Sequence, residues 1–262
     1  MIIDTTVKIE NHPYSKEFST LFNTLSQKYD KARVWNDFIV MVACAISNAC
    51  DKRFYKEREE RYIEIVKRYT RDEQNKFAEL FSYLVLSLDE KTEQDFLGAM
   101  FTMLGLSNKA KGQFFTPYDV AVLLANIQFA GGKNEITDKQ TFSVSDQCCG
   151  SGTLLIAFAN EAYRKNINHQ SRITFVAQDI DNIAGLMCYI QMSLLGCKLI
   201  LKIGDTLADP ITDKDMESES VWLSPMFTHE KRFKMLDSVR MIEKILNSSP
   251  MESGENEEKK TA

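Results

Sequence analysis

Histidine is scarce in this chain, at His12, His169 and His229, and no two of its six cysteines stand in a CxxC pair. Such a set offers no zinc site. Cys44, Cys50, Cys188 and Cys197 lie in apolar segments and Cys148 and Cys149 are adjacent, so they read as reduced, mostly buried thiols. No apolar run approaches the ~18–20 residues that a membrane-spanning helix needs. The opening stretch MIIDTTVKIENHPYSKEF lacks the basic-then-apolar layout of a signal peptide. A cytoplasmic chain with no membrane segment and no metal is expected. A basic excess is missing too. The net charge of −5 argues against autonomous binding of nucleic acid through a basic face, and leaves room for a local basic groove or a basic partner. No internal repeat is visible.

What is present is apolar and periodic. Hydrophobic residues make up 44% of 262, enough for one large domain or a small one joined to a medium one. Residues 15–110 carry helical stripes: Phe18, Leu21, Phe22 and Leu25; Val34, Phe38, Val42 and Ile46; Tyr62, Ile63, Val66 and Tyr69; Phe77, Leu80, Phe81 and Leu84; Phe96, Leu97, Met100, Phe101 and Leu104. Thr92 with Asp95 three residues on predicts a capping box for the fifth. Thr116, Pro117 and Asp119 predict another helix start, continuing through Val120, Leu123, Leu124 and Ile127.

After a polar loop, AGGKNEITDKQ, the period changes. TFSVS, RITFVAQ, KLILKIG and SVWLS read as strands, with helices at 153–164 and 182–195. Strands alternating with helices predict an α/β fold with a largely parallel, Rossmann-like sheet beside an N-terminal helical domain. The expected division is 1–110 helical, 111–247 α/β with a last helix over 229–247, and 248–262 a disordered polar tail.

In open α/β sheets ligands bind beyond the carboxyl ends of the strands, so those ends carry the information. The first ends in Asp146 and a Gly150-Ser151-Gly152 turn, the second in AQDID with Asp179, the third in GDTL with Asp205. Glycines allow positive φ and close approach by a ligand. Asp179 suits a ribose hydroxyl pair or a helix N-cap, and Asp205 suits an adenine amine or a turn. There is no GKS/T and no full GxGxxG. Three acids at one edge suit a ligand with a ribose, an exocyclic amine and an ammonium group. S-adenosylmethionine fits, and NAD fits worse because its pyrophosphate would meet Asp146.

KGQFFTP, DQCCGSG, AQDID and GDTL, in that order, resemble the adenine-N6 DNA methyltransferases. The resemblance spans roughly residues 90–227 and is closest to the methylation subunits of type I restriction–modification systems and their phage or mobile-element relatives. It implies an adenine-specific, S-adenosylmethionine-dependent DNA methyltransferase. By that resemblance Gln113, Phe114, Phe115, Thr116, Pro117 and Tyr118 line the methionine side of the cofactor. Asp146 and the turn Gly150, Ser151, Gly152 and Thr153 hold its amino acid part, Asp179 takes the ribose and Asp205 the adenine amine.

The fourth strand should then end in the catalytic signature, Asn-Pro-Pro-aromatic. Here it reads Ser224-Pro225-Met226-Phe227. By the resemblance Ser224 and the Pro225 carbonyl accept from the target amine, and Phe227 stacks on a flipped base. Met226 departs from the pattern and restores an N–H. The family usually adds further strands and a target-recognition region beyond this point, so DNA and a specificity or completing subunit are the implied partners, and a homo-oligomer is compatible. The alternative is a cofactor-binding but catalytically weak or inactive methylase-like regulator or complex subunit. A third reading is methylation of protein or a small molecule.

Overall fold

The computed structural model describes residues 12–106, 116–130 and 141–230. Nearly all of the expected polar loop and of the expected last helix, the whole expected tail, and Gln113, Phe114 and Phe115 lie outside the described residues. The chain divides after Thr228 into two compact units, the first being Met1–Thr228.

Five helices come first: α1 (Ser15–Leu25), α2 (Lys31–Cys50), α3 (Tyr55–Val66), α4 (Arg71–Glu90) and α5 (Phe96–Met103). Their starts are written locally. Asp30 caps α2 by accepting from the Arg33 N–H at 3.0 Å, and Thr70 with Glu73 forms a capping box on α4. Phe18, Trp35, Phe38 and Phe96 meet edge-on or tilted in the apolar centre, where aromatic quadrupoles prefer such angles.

Two helical expectations need correction. The cap of α5 is Asp95 itself, which accepts from the Gly98 N–H at 2.9 Å, while the Thr92 hydroxyl turns to Asn160. In and after α3 the expected stripe holds at Tyr62, Val66 and Tyr69, which pack on the core, but Ile63 is exposed, and the buried positions within the helix are Arg58 and Ile65. The reason is Arg58. Its guanidinium lies 4.1 Å from the Trp222 ring and donates to the Val221 carbonyl at 2.9 Å and to Ser47 at 2.5 Å. A charge that is paired, bonded and stacked can be buried, and it takes an inward position in α3 that an apolar pattern does not mark.

A sixth helix, α6 (Tyr118–Ala130), leads into β1 (Phe142–Asp146), α7 (Thr153–Arg164), the short α8 (His169–Arg172), β2 (Ile173–Asp179), α9 (Asn182–Leu194), β3 (Lys198–Ile203) and β4 (Val221–Leu223). The sheet order is β1-β2-β3-β4. The first three strands are parallel, with Val144 beside Phe175 and Phe175 beside Leu199. Each step to the next strand runs in the same direction, so right-handed crossovers place α7 and α9 on one face. Phe175, Ala177, Leu199 and Leu201 are fully buried, and α9 packs on β2 and β3 with α2 behind it. The α/β expectation is met, and one hydrophobic core runs from the helices into the sheet.

The fourth strand differs from expectation. β4 is antiparallel to β3, with Leu223 beside Ile200 and Val221 beside Lys202. A parallel return needs a crossover of a dozen or more residues, usually a helix. The connection at 204–220 contains only a 3-10 turn, Asp213–Glu217, so the chain doubles back along the edge of β3.

On α6, Ala121 and Ala125 are buried and the helix packs on α7, where Phe129 stacks on Phe158 at 4.6 Å. Its large residues Val120, Leu123, Leu124 and Ile127 lie on the exposed side.

Candidate functional site at the sheet edge

The parallel strands β1, β2 and β3 end together, and three loops meet there. The turn after β1 has two glycines with positive φ, Gly150 at 53° and Gly152 at 95°. A Cβ on Gly152 would sit 2.8 Å from the Cys188 Sγ of α9, so the turn lies hard against that helix. The Cys149 N–H donates to the Gln178 carbonyl at 3.0 Å, tying the turn to β2.

Asp179, at the end of β2, joins all three loops. Its Oδ2 accepts from the Gly150 N–H at 2.7 Å and its Oδ1 from the Asp181 N–H at 2.9 Å. Its carbonyl accepts from the Gly204 N–H at 2.9 Å. The helix cap of α9 is Asp181, which accepts from Ile183 and Ala184. The N-cap reading of Asp179 is thereby excluded.

Asp146 is the least satisfied group at the edge. Its Oδ1 accepts from the Cys148 N–H at 3.2 Å, and its Oδ2 is buried with no hydrogen-bond partner. Burial pushes its carboxyl above the usual aspartate range, and the nearby Asp179 charge adds to the shift. Such a carboxylate is short of a cationic or N–H donor.

Asp205 is exposed, and its Oδ1 accepts from the Leu207 N–H at 2.9 Å, as an acid in a turn does. Thr206 donates to the Gln147 carbonyl at 2.6 Å, which brings this loop beside the first. Ile180 and Leu207, following the two acids, are 70% and 96% exposed. Two bare apolar side chains flanking a polar edge suit the faces of a flat ring. Sequence reasoning gave neither a role, although an apolar residue one or two positions after a strand-end acid was the available signal.

Gln178 was also missed. It is buried, donates to the Asp209 carbonyl at 2.8 Å and accepts from the Ile211 N–H at 2.9 Å, so it shapes the loop after β3. An amide at a buried strand position was its signal.

Other expected site residues go elsewhere. Ser151 and Thr153 turn their hydroxyls inward, to Asp95. The Tyr118 hydroxyl accepts from Asn160, on the flank of α7, at 3.2 Å, and burial pushes it up to about 12. Thr116 is half-buried and Pro117 exposed; the Pro117 carbonyl accepts the first helical N–H groups of α6, from Val120 and Ala121.

Ser224 is furthest from expectation. It is fully buried, donates to the Cys197 carbonyl at 2.7 Å and accepts from the Leu199 N–H at 2.8 Å. Those partners mark the start of β3, whereas Asp146, Asp179 and Asp205 stand at strand ends. A strand of this length separates the two by roughly 16 Å. Because β4 is antiparallel, Ser224, Pro225 and Phe227 follow it at the opposite end of the sheet.

The family model described as N-6 DNA Methylase matches residues 93–255. The chain belongs to that family. It is 30% identical over 115 residues to the type I restriction enzyme MpnII methylase subunit of Mycoplasma pneumoniae, a match covering 44% of this chain and 19% of that protein. The chain thus spans about a fifth of that relative's length. Among solved structures, the methyltransferase subunit of a type I restriction-modification system from Streptococcus thermophilus is 18% identical over 80% of this chain and 47% of its own, with a TM-score of 0.41. A Listeria monocytogenes protein assigned to the class I S-adenosylmethionine-dependent methyltransferases is 16% identical over 70% and 56%, with a TM-score of 0.38. Among the described residues, no helix is long and apolar enough to cross a membrane.

Proposed function

We propose that the chain binds S-adenosylmethionine at the carboxyl edge of β1, β2 and β3 and serves in methylation of the N6 amine of adenine in DNA. The observation that carries this reading is the orphaned, buried Oδ2 of Asp146 beside the glycine turn. An α-ammonium group supplies the missing donors and the countercharge. Asp179 is held by Gly150 and Asp181 where a ribose hydroxyl can reach its remaining lone pairs. Ile180 and Leu207 cover the adenine faces, and Asp205 accepts from the adenine amine. Family membership supports the same reading.

When bound, the cofactor supplies an electrophilic methyl group on a sulfonium. The chain's own part is to fix that group and exclude water around it, because positioning supplies most of the rate in such transfers. The Ser224 hydroxyl is committed to Cys197 and Leu199 and orients no target amine from its present place. The amine-orienting groups therefore lie elsewhere in the working assembly. A specificity or completing subunit is their source, and it also supplies the DNA contacts that a net charge of −5 does not favour.

Two measurements test the reading. Calorimetry of the purified chain with S-adenosylmethionine or S-adenosylhomocysteine should give micromolar binding. Transfer of a labelled methyl group to adenine in DNA should appear when a cognate subunit is added. Absence of cofactor binding, both alone and with that subunit, sinks the proposal.

A further inference from the structure

Asp95 belongs to the helical part of the chain, yet its carboxylate is shared among three segments. Its Oδ1 accepts from the Gly98 N–H at 2.9 Å, capping α5, and from the Gln191 side chain of α9 at 2.8 Å. Its Oδ2 accepts from the Thr153 hydroxyl at 2.5 Å and from the Ser151 hydroxyl. Gln191 closes the circuit: it also donates to the Ser151 carbonyl at 2.9 Å, and its Oε1 accepts from the Leu97 N–H at 3.0 Å. Asp95, Ser151, Thr153 and Gln191 are all buried.

A helix cap needs one carboxylate oxygen. Here the second is given wholly to the glycine turn. A buried carboxylate is tolerated only when its lone pairs are filled, and two hydroxyls, an amide and a backbone N–H fill these. The approach is close: a Cβ on Gly98 would lie 2.2 Å from the Asp95 Oδ2 and 2.6 Å from the Ser151 Oγ. Ser151 sits between Gly150, whose N–H is held by Asp179, and Gly152, in the left-handed region. Holding Ser151 and Thr153 from behind therefore holds the glycine backbone in front.

We infer that Asp95 is a positioning residue for cofactor binding, a clamp from the start of α5 that sets the Gly150–Ser151–Gly152 turn in its ligand-ready form. The inference rests on the cofactor reading above. It predicts that the helical layer governs cofactor affinity without touching the cofactor.

The test compares full-length wild type with Asp95→Ala, Asp95→Asn and the double variant Ser151→Ala/Thr153→Ala. S-adenosylhomocysteine affinity is measured by calorimetry, and hydrogen exchange of the ligand-free turn by mass spectrometry. Asp95→Ala should weaken binding at least tenfold and speed exchange at 147–153 before other segments. Asp95→Asn should stay within about threefold of wild type: its oxygen keeps Gly98 and Gln191, and its NH2 donates to hydroxyls that can rotate to accept. A purely structural role predicts no such rescue in affinity. Asp30→Ala, which removes the α2 cap, serves as the control and should leave affinity unchanged. If Asp95→Ala fails to fold, the serine–threonine double variant carries the test and should lose tenfold. Folded variants with wild-type affinity and wild-type turn exchange overturn the inference. Wild-type protein that binds no cofactor overturns the reading beneath it and the affinity role with it, while turn exchange still reports whether Asp95 orders the turn.

Discussion

Replacing Asp146 by Asn should make the ligand-free protein more stable and the cofactor complex weaker. The two effects share one cause. In the free protein Asp146 is half-buried, its Oδ2 is buried with no partner, and Asp179 repels it. An unsatisfied buried acceptor costs ~1–3 kcal/mol. Asn keeps an oxygen for the Cys148 N–H, removes the charge and exchanges repulsion for attraction. A gain of ~1 kcal/mol raises the melting temperature by about 2–4 °C at this chain length. The complex loses a charge-assisted bond to the ammonium group, worth ~1.5–3 kcal/mol, or roughly 10–150-fold in affinity. Ligand at 100 times the wild-type Kd adds ~2.7 kcal/mol to wild type, but only ~0.4 kcal/mol to a variant that binds 100-fold more weakly. Differential scanning fluorimetry with and without S-adenosylhomocysteine reads both effects in one plate. The pH dependence follows from the raised carboxyl. Its neutral form is favoured in the folded state, so its contribution to stability is full below the unfolded value of ~3.9 and is lost as pH rises through the folded value. The advantage of Asn should therefore vanish below about pH 4, and wild-type affinity should fall as Asp146 takes up its proton. A variant that melts lower than wild type at neutral pH, or that binds cofactor as well, refutes the reasoning.

Ser224→Ala should destabilise without weakening cofactor binding. It strips partners from the Cys197 carbonyl and Leu199 N–H, at ~1–3 kcal/mol, read by chemical denaturation. A selective loss of methyl transfer at unchanged stability would instead restore the catalytic reading of this serine. Gly152→Ala meets both a positive φ and the Cys188 sulfur, and should cost ~1–2 kcal/mol from backbone handedness alone. Adding Cys188→Ala should recover the steric part only, measurable as a double-mutant cycle. Asp179→Ala frees the Gly150 N–H and should weaken cofactor binding by ~1–3 kcal/mol in calorimetry, with the sheet intact by circular dichroism.

The meeting of the strand-end acids and the glycine turn at one sheet edge was legible in the sequence because it is local. Each strand-end acid follows its own strand, the glycines follow Asp146 within a few residues, and parallel pairing of β1, β2 and β3 brings them together. The helical stripes were legible for the same reason, except where α3 carries a buried arginine whose partners, Val221 and Trp222, lie far along the chain. What sequence could not supply was strand direction. Pattern alone reads Val221–Leu223 as a strand and cannot tell parallel from antiparallel; the missing helix at 204–220 was the hint. The inward bonds of Ser151 and Thr153 were hidden for a related reason. The family resemblance placed them with the turn around the cofactor, and the claim of Asp95, more than fifty residues earlier, on both hydroxyls has no local signal.

The bonds among the three loops also bear on how fast a ligand is taken up. Gly150 to Asp179, Cys149 to Gln178, Gly204 to Asp179 and Thr206 to Gln147 lace the strand ends together before any ligand arrives. Among the described residues, these bonds leave the three loops little to rearrange on arrival. Association at these loops should then be a single bimolecular encounter, and in a stopped-flow experiment its observed rate should rise in a straight line with ligand concentration, without the plateau that a slow closing step would impose.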